Sequence, residues 1–157
     1  MLGCMAHQTV EAFEAALLDT AAHLFVSVFN TTPWNDSWSE ASARARLHDI
    51  VETPGFVGVA LHRGPDLCGF AMGHVEHWFT GRHFLLQEMC VRTELQRQGI
   101  GTDLINALET RLANVEQVYL LTERHGPAHS FYERCGFRLA QRQGVMLKKI
   151  QTRPSDP

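Results

Sequence analysis

Apolar and polar positions alternate along this chain with two different periods. Val10, Phe13, Leu17, Ala21 and Leu24 recur every three or four residues, the spacing of one helix face, and the pattern continues through Phe25-Val26-Ser27-Val28-Phe29. Asn30-Thr31-Thr32-Pro33-Trp34-Asn35-Asp36 breaks it with turn-forming residues. Ser39-Glu40 then opens a second helix, with Ala43, Leu47 and Ile50 on its inner face and Pro54-Gly55 at its end. From there the period shortens. Phe56 to His62 reads as a strand, Arg63-Gly64-Pro65-Asp66 as a hairpin turn, and Leu67 to His77 as the return strand. A third strand, Phe84 to Val91, follows the link Phe79 to Arg82. After a polar connection, Leu104, Ile105, Leu108 and Leu112 mark a helix that starts at Gly99. Gln117 to Thr122 is a buried strand, and Pro127 to Arg134 a short helix stopped by Gly136. Phe137 to Arg142 and Val145 to Ile150 are expected to be two closing strands.

The order helix, helix, strand meander, helix, strand, helix, strands predicts an α/β (α+β) fold, a mixed and mostly antiparallel central sheet with helices on both faces. The 157 residues fit one domain over 1–150, with a polar, Pro-rich and loose tail over 151–157. No repeat or linker divides the chain.

Composition narrows the function classes. With 45% hydrophobic and 20% charged residues and a net charge of −3, the chain is a globular protein without the basic balance of a nucleic-acid binder. Met1 to Thr9 lacks the basic start and apolar core of a signal peptide, and no apolar run approaches the ~18 residues of a membrane span. The four cysteines, Cys4, Cys68, Cys90 and Cys135, form no C-x-x-C pair and read as reduced thiols of a cytoplasmic protein. His62, His74, His77 and His83 have no metal-ligand spacing, so no metal is expected.

The chemistry-bearing segment is Gln96-Arg97-Gln98-Gly99-Ile100-Gly101-Thr102, between a strand and a helix. A helix start offers unpartnered N–H groups and the positive end of the dipole, a natural seat for a phosphate or diphosphate. Gly99 and Gly101 keep Cβ atoms away from phosphate oxygens, Arg97 and Gln98 add charge and donors, and Thr102 adds a hydroxyl. No Gly-Lys-Ser/Thr follows, so this is not a Walker A loop. The G-x-G-x-x-G dinucleotide pattern with a later acidic residue is also absent.

This block resembles the signature of the GNAT (Gcn5-related N-acetyltransferase) family, Arg/Gln-x-x-Gly-x-Gly/Ala after a central strand. Glu88-Met89-Cys90-Val91 is similar to the family's acidic-hydrophobic strand end. Ala128-His129-Ser130-Phe131-Tyr132-Glu133-Arg134-Cys135-Gly136-Phe137 matches its Ala-x-x-Phe-Tyr-x-x-x-Gly-Phe segment. Thr93 stands where Pro is common, Leu95 where an aromatic is common, and His125 where many members carry Asn. The resemblance covers residues 56–148 best. It implies a GNAT acyl-CoA N-acyltransferase fold with acetyl-CoA as co-substrate in a cleft where two strands splay apart. The diphosphate would rest on the amides of Arg97 to Thr102, and the backbone of Met89, Cys90 and Val91 would pair with the pantetheine arm. His125, Ala128 and Phe131 would lie on the cofactor side, and the Val91 N–H would serve the oxyanion.

Such a transfer needs a base for the ammonium, a donor for the oxyanion and an acid for the leaving thiolate. Glu88, a carboxylate inside the central strand, is the candidate base, directly or through water. Its alternative is to orient substrate or pair with an arginine. Tyr132 is the candidate acid, in the place where the family carries one; its alternative is a core residue of the stripe Ala128, Phe131, Tyr132, Cys135. Trp34, Asp36, Trp38, Glu76 and Trp78 are candidates for the acceptor, because aromatic faces and carboxylates suit a cationic amine. Their alternative is a small subcore. The expected activity is acetylation of a primary amine on a small molecule, aminoglycoside- or polyamine-like. A protein lysine or N-terminus as acceptor, and a non-catalytic acyl-CoA sensor, remain as alternatives. A monomer or a homodimer fits the exposed final strands.

Overall fold

A computed structural model describes residues 7–150. The tail 151–157, Cys4 and the start of the amino-terminal stretch, all read above, lie outside the described residues. Among the described residues five strands and four α-helices run in the order β1 (Gln8–Ala12), α1 (Leu18–Phe29), α2 (Glu40–Val51), β2 (Phe56–Arg63), β3 (Asp66–Trp78), β4 (Gly81–Val91), α3 (Ile100–Arg111), β5 (Gln117–Leu120) and α4 (His129–Arg134). The sheet order is β1-β2-β3-β4-β5; the first four strands are antiparallel neighbours and β5 runs parallel to β4.

The amino-terminal expectation needs correction. Val10 belongs not to the first helix but to β1, paired with Leu61, and the helix begins at Leu18 after a short 3-10 turn. The helical spacing is coincidental, because Val10 packs on the α3 side of the sheet while Phe13, Ala21 and Leu24 pack on the other. The carboxyl-terminal expectation also fails. Residues 137–150 form no strand, and Val145, Met146, Leu147 and Ile150 are exposed. Alternation marks a segment able to form a strand, but a strand needs an edge to pair with.

Helices cover both sheet faces. On one face α1 and α2 bury Leu24, Phe25, Val28, Ala43, Leu47 and Ile50 against Phe70 and Met72. Burying each large side chain contributes roughly 1.5–3 kcal/mol. A capping box fixes the start of α2: Ser39 Oγ accepts from the Ser42 N–H at 3.0 Å, and the Ser39 N–H donates to Ser42 Oγ at 3.0 Å. On the other face α3 seats Ile100, Leu104, Ile105 and Leu108 on Val59, Leu61, Ala71 and Phe84, with Phe131 and Tyr132 of α4 at the border.

One irregularity shapes the site. Met72 pairs with Glu88 but Gly73 pairs with Leu86, so Gln87 is an extra residue in β4. A Cβ at Gly73 would run into the Leu85 carbonyl oxygen, so glycine permits this bulge. The β4–β5 ladder runs from His83–Gln117 to Leu86–Leu120 and ends at the bulge, while β4 continues to Val91. A bulge bends its strand, and here the bend coincides with the parting of β4 from β5.

Candidate active site

The parted strands leave backbone groups facing a gap. The Arg92 N–H donates to the Cys68 carbonyl at 2.8 Å, which sets the alternation of the antiparallel β3–β4 ladder. Residues opposite one another at Phe70–Cys90 and Met72–Glu88 therefore exchange bonds, and Met89 and Val91 direct their N–H and C=O groups away from β3. No β5 residue pairs with them. The Val91 carbonyl is taken by Gln96, whose Nε2 donates to it at 3.1 Å and braces the following loop.

That loop delivers the start of α3. Arg97 and Gly99 both adopt left-handed backbone conformations, with φ of 61° and 85°. Gly99 is the N-cap and offers no side chain to the first-turn amides, and the Asp103 N–H to Gly99 C=O bond, 3.0 Å, begins the intrahelical series. The N–H groups of Ile100, Gly101 and Thr102 precede that bond and lack intrahelical partners. Arg97, Gln98, Gly99 and Thr102 are exposed beside them, and Gln98 Nε2 donates to the Glu94 carbonyl at 3.2 Å.

The two glycines differ in what they do. A Cβ on Gly99 would meet nothing within 4 Å, so its surroundings are open. A Cβ on Gly101 would sit 2.9 Å from Phe131 Cε2 and 3.2 Å from Met89 Cε. Gly101 thus admits close packing of α3 against α4 and β4 rather than a phosphate, which revises the equal roles read from the sequence. The Cys90 and Ile100 side chains are likewise buried in the core, so at these positions only the main chain faces the site.

Beside the gap lies a cleft of about 240 Å³. It brings together Trp34, Glu88, Met89, Ala128 and Tyr132 from the α1–α2 loop, β4 and the start of α4. Burial raises the Glu88 carboxyl above its usual range, opposed by Arg46, whose Nε donates to Glu88 Oε1 at 3.0 Å. Burial, then the charge of Glu88, pushes the Tyr132 hydroxyl up to about 12, so it stays a phenol at neutral pH. Its ring packs edge-on against Phe131 and Phe137, at centroid distances of 5.1 and 5.5 Å. Pairing with an arginine is the alternative expected for Glu88, and Arg46 supplies it. Its signal was a cation beside the apolar stripe of α2, three residues after Ala43 and four before Ile50.

The acceptor candidates separate. Trp34 borders the cleft, stacked edge-on against Phe29 at 5.2 Å. Trp38 instead packs on Phe25 at 5.1 Å and donates its indole N–H to Asp36 at 3.1 Å, so this pair supports the α1–α2 subcore. Glu76 and Trp78 are on the sheet face of Glu88, towards the β3–β4 hairpin. Four residues along β3 separate Glu76 from Met72, the partner of Glu88, which corresponds to about 13 Å. Glu76 accepts from the Tyr119 hydroxyl at 2.6 Å, from Trp78 Nε1 at 3.3 Å, and lies 3.2 Å from His74 Nε2. The Tyr119 hydrogen bond leads the lowering of its pKa. Trp78 is half exposed and stacks on His83. Nothing local links residue 76 to Tyr119, and His74, expected only to bind no metal, stands beside Glu76 on the same strand face. His125 has φ of 59° and stands exposed, its ring 5.8 Å from His129. Among the described residues no three His, Cys, Asp or Glu side chains gather as a metal-ligand set, and no helix is long and apolar enough to cross a membrane.

Comparison with known proteins bears on this arrangement. No curated protein matches the sequence. Among solved structures, a possible acetyltransferase from Clostridium difficile 630 superposes with a TM-score of 0.77 at 14% identity, covering 92% of this chain and 99% of that one. The aminoglycoside acetyltransferase meta-AAC0020 from an uncultured soil metagenomic sample, in complex with sisomicin, gives 0.69 at 19% identity, covering 92% and 97%. Aminoglycoside N-acetyltransferase AAC(6')-Iy in complex with CoA gives 0.70 at 15% identity, covering 96% and 100%. These likenesses show a shared fold. The model of the acetyltransferase (GNAT) family matches residues 18–137, from α1 to the residue after Gly136, and the chain therefore belongs to the GNAT acetyltransferase family.

Proposed function

We propose that the protein is an acetyl-CoA-dependent N-acetyltransferase whose acceptor is a primary amine on a small cationic molecule. The observation that carries this reading is the gap between β4 and β5, where the amides of Met89 and Val91 and the bare start of α3 converge on one side of the Glu88–Tyr132 cleft. The site fits an extended thioester carrier. Met89 and Val91 offer strand-like hydrogen bonds to an amide-bearing arm, and the first-turn amides with open Gly99 and exposed Arg97 suit a diphosphate. In this reading Cys90, Gln96, Gln98, Ile100, Gly101 and Thr102 belong to the same wall through backbone or bracing contacts, Phe131 packs behind Gly101, and His125 and Ala128 lie on the cofactor side.

Bound acetyl-CoA supplies a thioester carbonyl carbon open to an amine and a sulfur that leaves as thiolate. Glu88, with its proton affinity raised by burial, takes the proton of the acceptor ammonium directly or through water. The Val91 N–H points into the gap and donates to the oxygen that gains charge. Tyr132 keeps its proton at neutral pH; it would donate it to the leaving sulfur and be reprotonated by the second proton that the attacking nitrogen loses as the amide forms. Glu76, with Trp78 beside it, holds a second positive group of the acceptor further along the sheet face, and Trp34 closes the near side.

The test is a thermal-shift titration with acetyl-CoA followed by thiol release over a panel of amines. Acetyl-CoA is expected to raise the midpoint, because a ligand that binds only the folded form must stabilise it. Diamines and aminoglycosides are expected to turn over faster than monoamines. Stabilisation without thiol release for any amine or peptide would replace the enzyme by an acyl-CoA sensor. Release only with peptides would move the acceptor to proteins, and no stabilisation at all would remove the cofactor site.

A further inference from the structure

We infer that Tyr119 and His74 are positioning residues that hold Glu76 as a fixed second anion, so that the site selects acceptors by the spacing between two cationic groups. Resting on the acceptor reading above, this role gives the amine a length as well as a charge.

Strand alternation places the parts. On the sheet face of Glu88, α1 and α2 cover Phe70 and Met72. They leave the next side chains of β3 on that face, His74, Glu76 and Trp78, half-buried or exposed. The bulge in β4 turns Gln87 towards the same face, although Glu88 beside it already points there: Gln87 Oε1 lies 2.7 Å from His74 Nδ1. Two consecutive side chains thus share one face, one the proposed base and the other the start of a polar chain. From Gln87 the chain runs to His74, from His74 Nε2 to Glu76 Oε1 at 3.2 Å, and from Glu76 Oε2 to the Tyr119 hydroxyl at 2.6 Å.

Tyr119 makes the least local of these contacts. In register it sits opposite Leu85, and Leu85 opposite His74, whereas Glu76 belongs to the next row on that face, with His83. Its side chain therefore lies across β4 to reach β3, and it ties three strands together beside the end of the β4–β5 ladder. Burial first, then Glu76, pushes its hydroxyl up to about 12, so it remains a donor at neutral pH. Tyr119 and Trp78 are neutral donors, which fix the carboxylate without cancelling its charge. Among the described residues no lysine or arginine forms a salt bridge with Glu76. A carboxylate has about four acceptor sites, and Tyr119, Trp78 and His74 face three of them, so Oε1 keeps one for a ligand. The Glu76 side chain is 28% exposed, which leaves a cation a way in.

A fixed anion acts as a ruler. Four residues of β3, about 13 Å, separate Glu76 from the partner of Glu88, and an ammonium in contact with each carboxylate leaves on the order of 10 Å between the two nitrogens. A mobile carboxylate would follow acceptors of any length. A fixed one favours those whose two cations match it, because less freedom is lost on binding. The class it fits is a long diamine, or a larger molecule with an equivalent pair of cations, rather than a short diamine.

Thiol release from acetyl-CoA over α,ω-diaminoalkanes from diaminobutane to diaminodecane tests the ruler. Each diamine is compared with the monoamine of equal length, which cancels the apolar contribution. The ratio of the two kcat/KM values is expected near one for diaminobutane and at least five-fold for the long members, through KM rather than kcat. Tyr119→Phe and His74→Ala are expected to keep the circular dichroism spectrum and bring that ratio below two-fold. A merely structural role would slow diamines and monoamines alike. That result, or a ratio without length dependence in the unmodified protein, overturns the proposal. Titration calorimetry of the same amines onto the protein saturated with CoA separates the ruler from the reaction. No thiol release with any amine would fail the catalytic reading, while a length preference in binding that Tyr119→Phe flattens would uphold the ruler. Equal binding at all lengths, or none, would end it.

Discussion

Replacing Arg46 by alanine isolates the electrostatics of the proposed base. Arg46 Nε donates to Glu88 Oε1 at 3.0 Å, and the two side chains are 41% and 16% exposed. A hydrogen bond between charged groups contributes roughly 1.5–3 kcal/mol, and the exposure of Arg46 argues for the low end, about 1.5 kcal/mol. That contribution favours the charged form, so Arg46→Ala is expected to raise the Glu88 pKa further. In a thiol-release assay the acidic limb of kcat/KM against pH should move to higher pH, with Arg46→Lys in between. Stability supplies a second readout. Burial already raises the folded-state pKa of Glu88 above its usual value of 4.5, so the fold favours the neutral carboxyl. The stabilisation from a raised carboxyl is complete below the unfolded pKa and is lost as pH rises through the folded pKa. Without Arg46 the charged carboxylate is left uncompensated, so the loss of stability should be largest above the folded pKa of Glu88 and shrink as pH falls towards its ordinary 4.5. An unmoved acidic limb, together with a pH-independent loss of stability, would refute both the pairing and the role of Glu88.

Tyr132→Phe removes one hydroxyl and keeps the ring between Phe131 and Phe137, so kcat should fall more than ten-fold while the melting temperature stays within a few degrees; wild-type turnover would end its role as acid. Gly101→Val forces a side chain into Phe131 and Met89, and overpacking of this kind costs about 1–3 kcal/mol, so denaturant unfolding should show that loss together with weakened acetyl-CoA binding. Glu76→Gln should raise KM for dicationic acceptors several-fold, leaving monoamine kinetics and the acetyl-CoA thermal shift unchanged; equal effects on monoamines would assign Glu76 to structure alone.

The sequence by itself determined those features whose cause is local. The spacing of Ala43, Leu47 and Ile50 fixed α2, Ser39 fixed its start, Gly64-Pro65 fixed the β2–β3 turn, and the polar run before Gly99 fixed where α3 begins. Each depends on residues within one or two turns of each other, so pattern alone carries the information. The signature around Gln96 to Thr102 identified the segment for the same reason, because backbone amides at a helix start are set by the chain itself.

Tertiary structure decided whatever depends on partners far away in the chain. The bulge at Gln87 opens the gap beside Met89 and Val91, and it exists because Gly73 of the neighbouring strand lets a carbonyl approach. Arg46 reaches Glu88 across 42 positions, and Tyr119 reaches Glu76 across 43. Trp38 sits in the subcore and Trp34 at the cleft although they flank one turn. Val10 reads as helix by spacing yet forms an edge strand because Leu61 waits beside it, and Val145 to Ile150 read as strand yet pair with no other strand. A residue's periodicity says which face it buries; only the assembled sheet says what lies against that face.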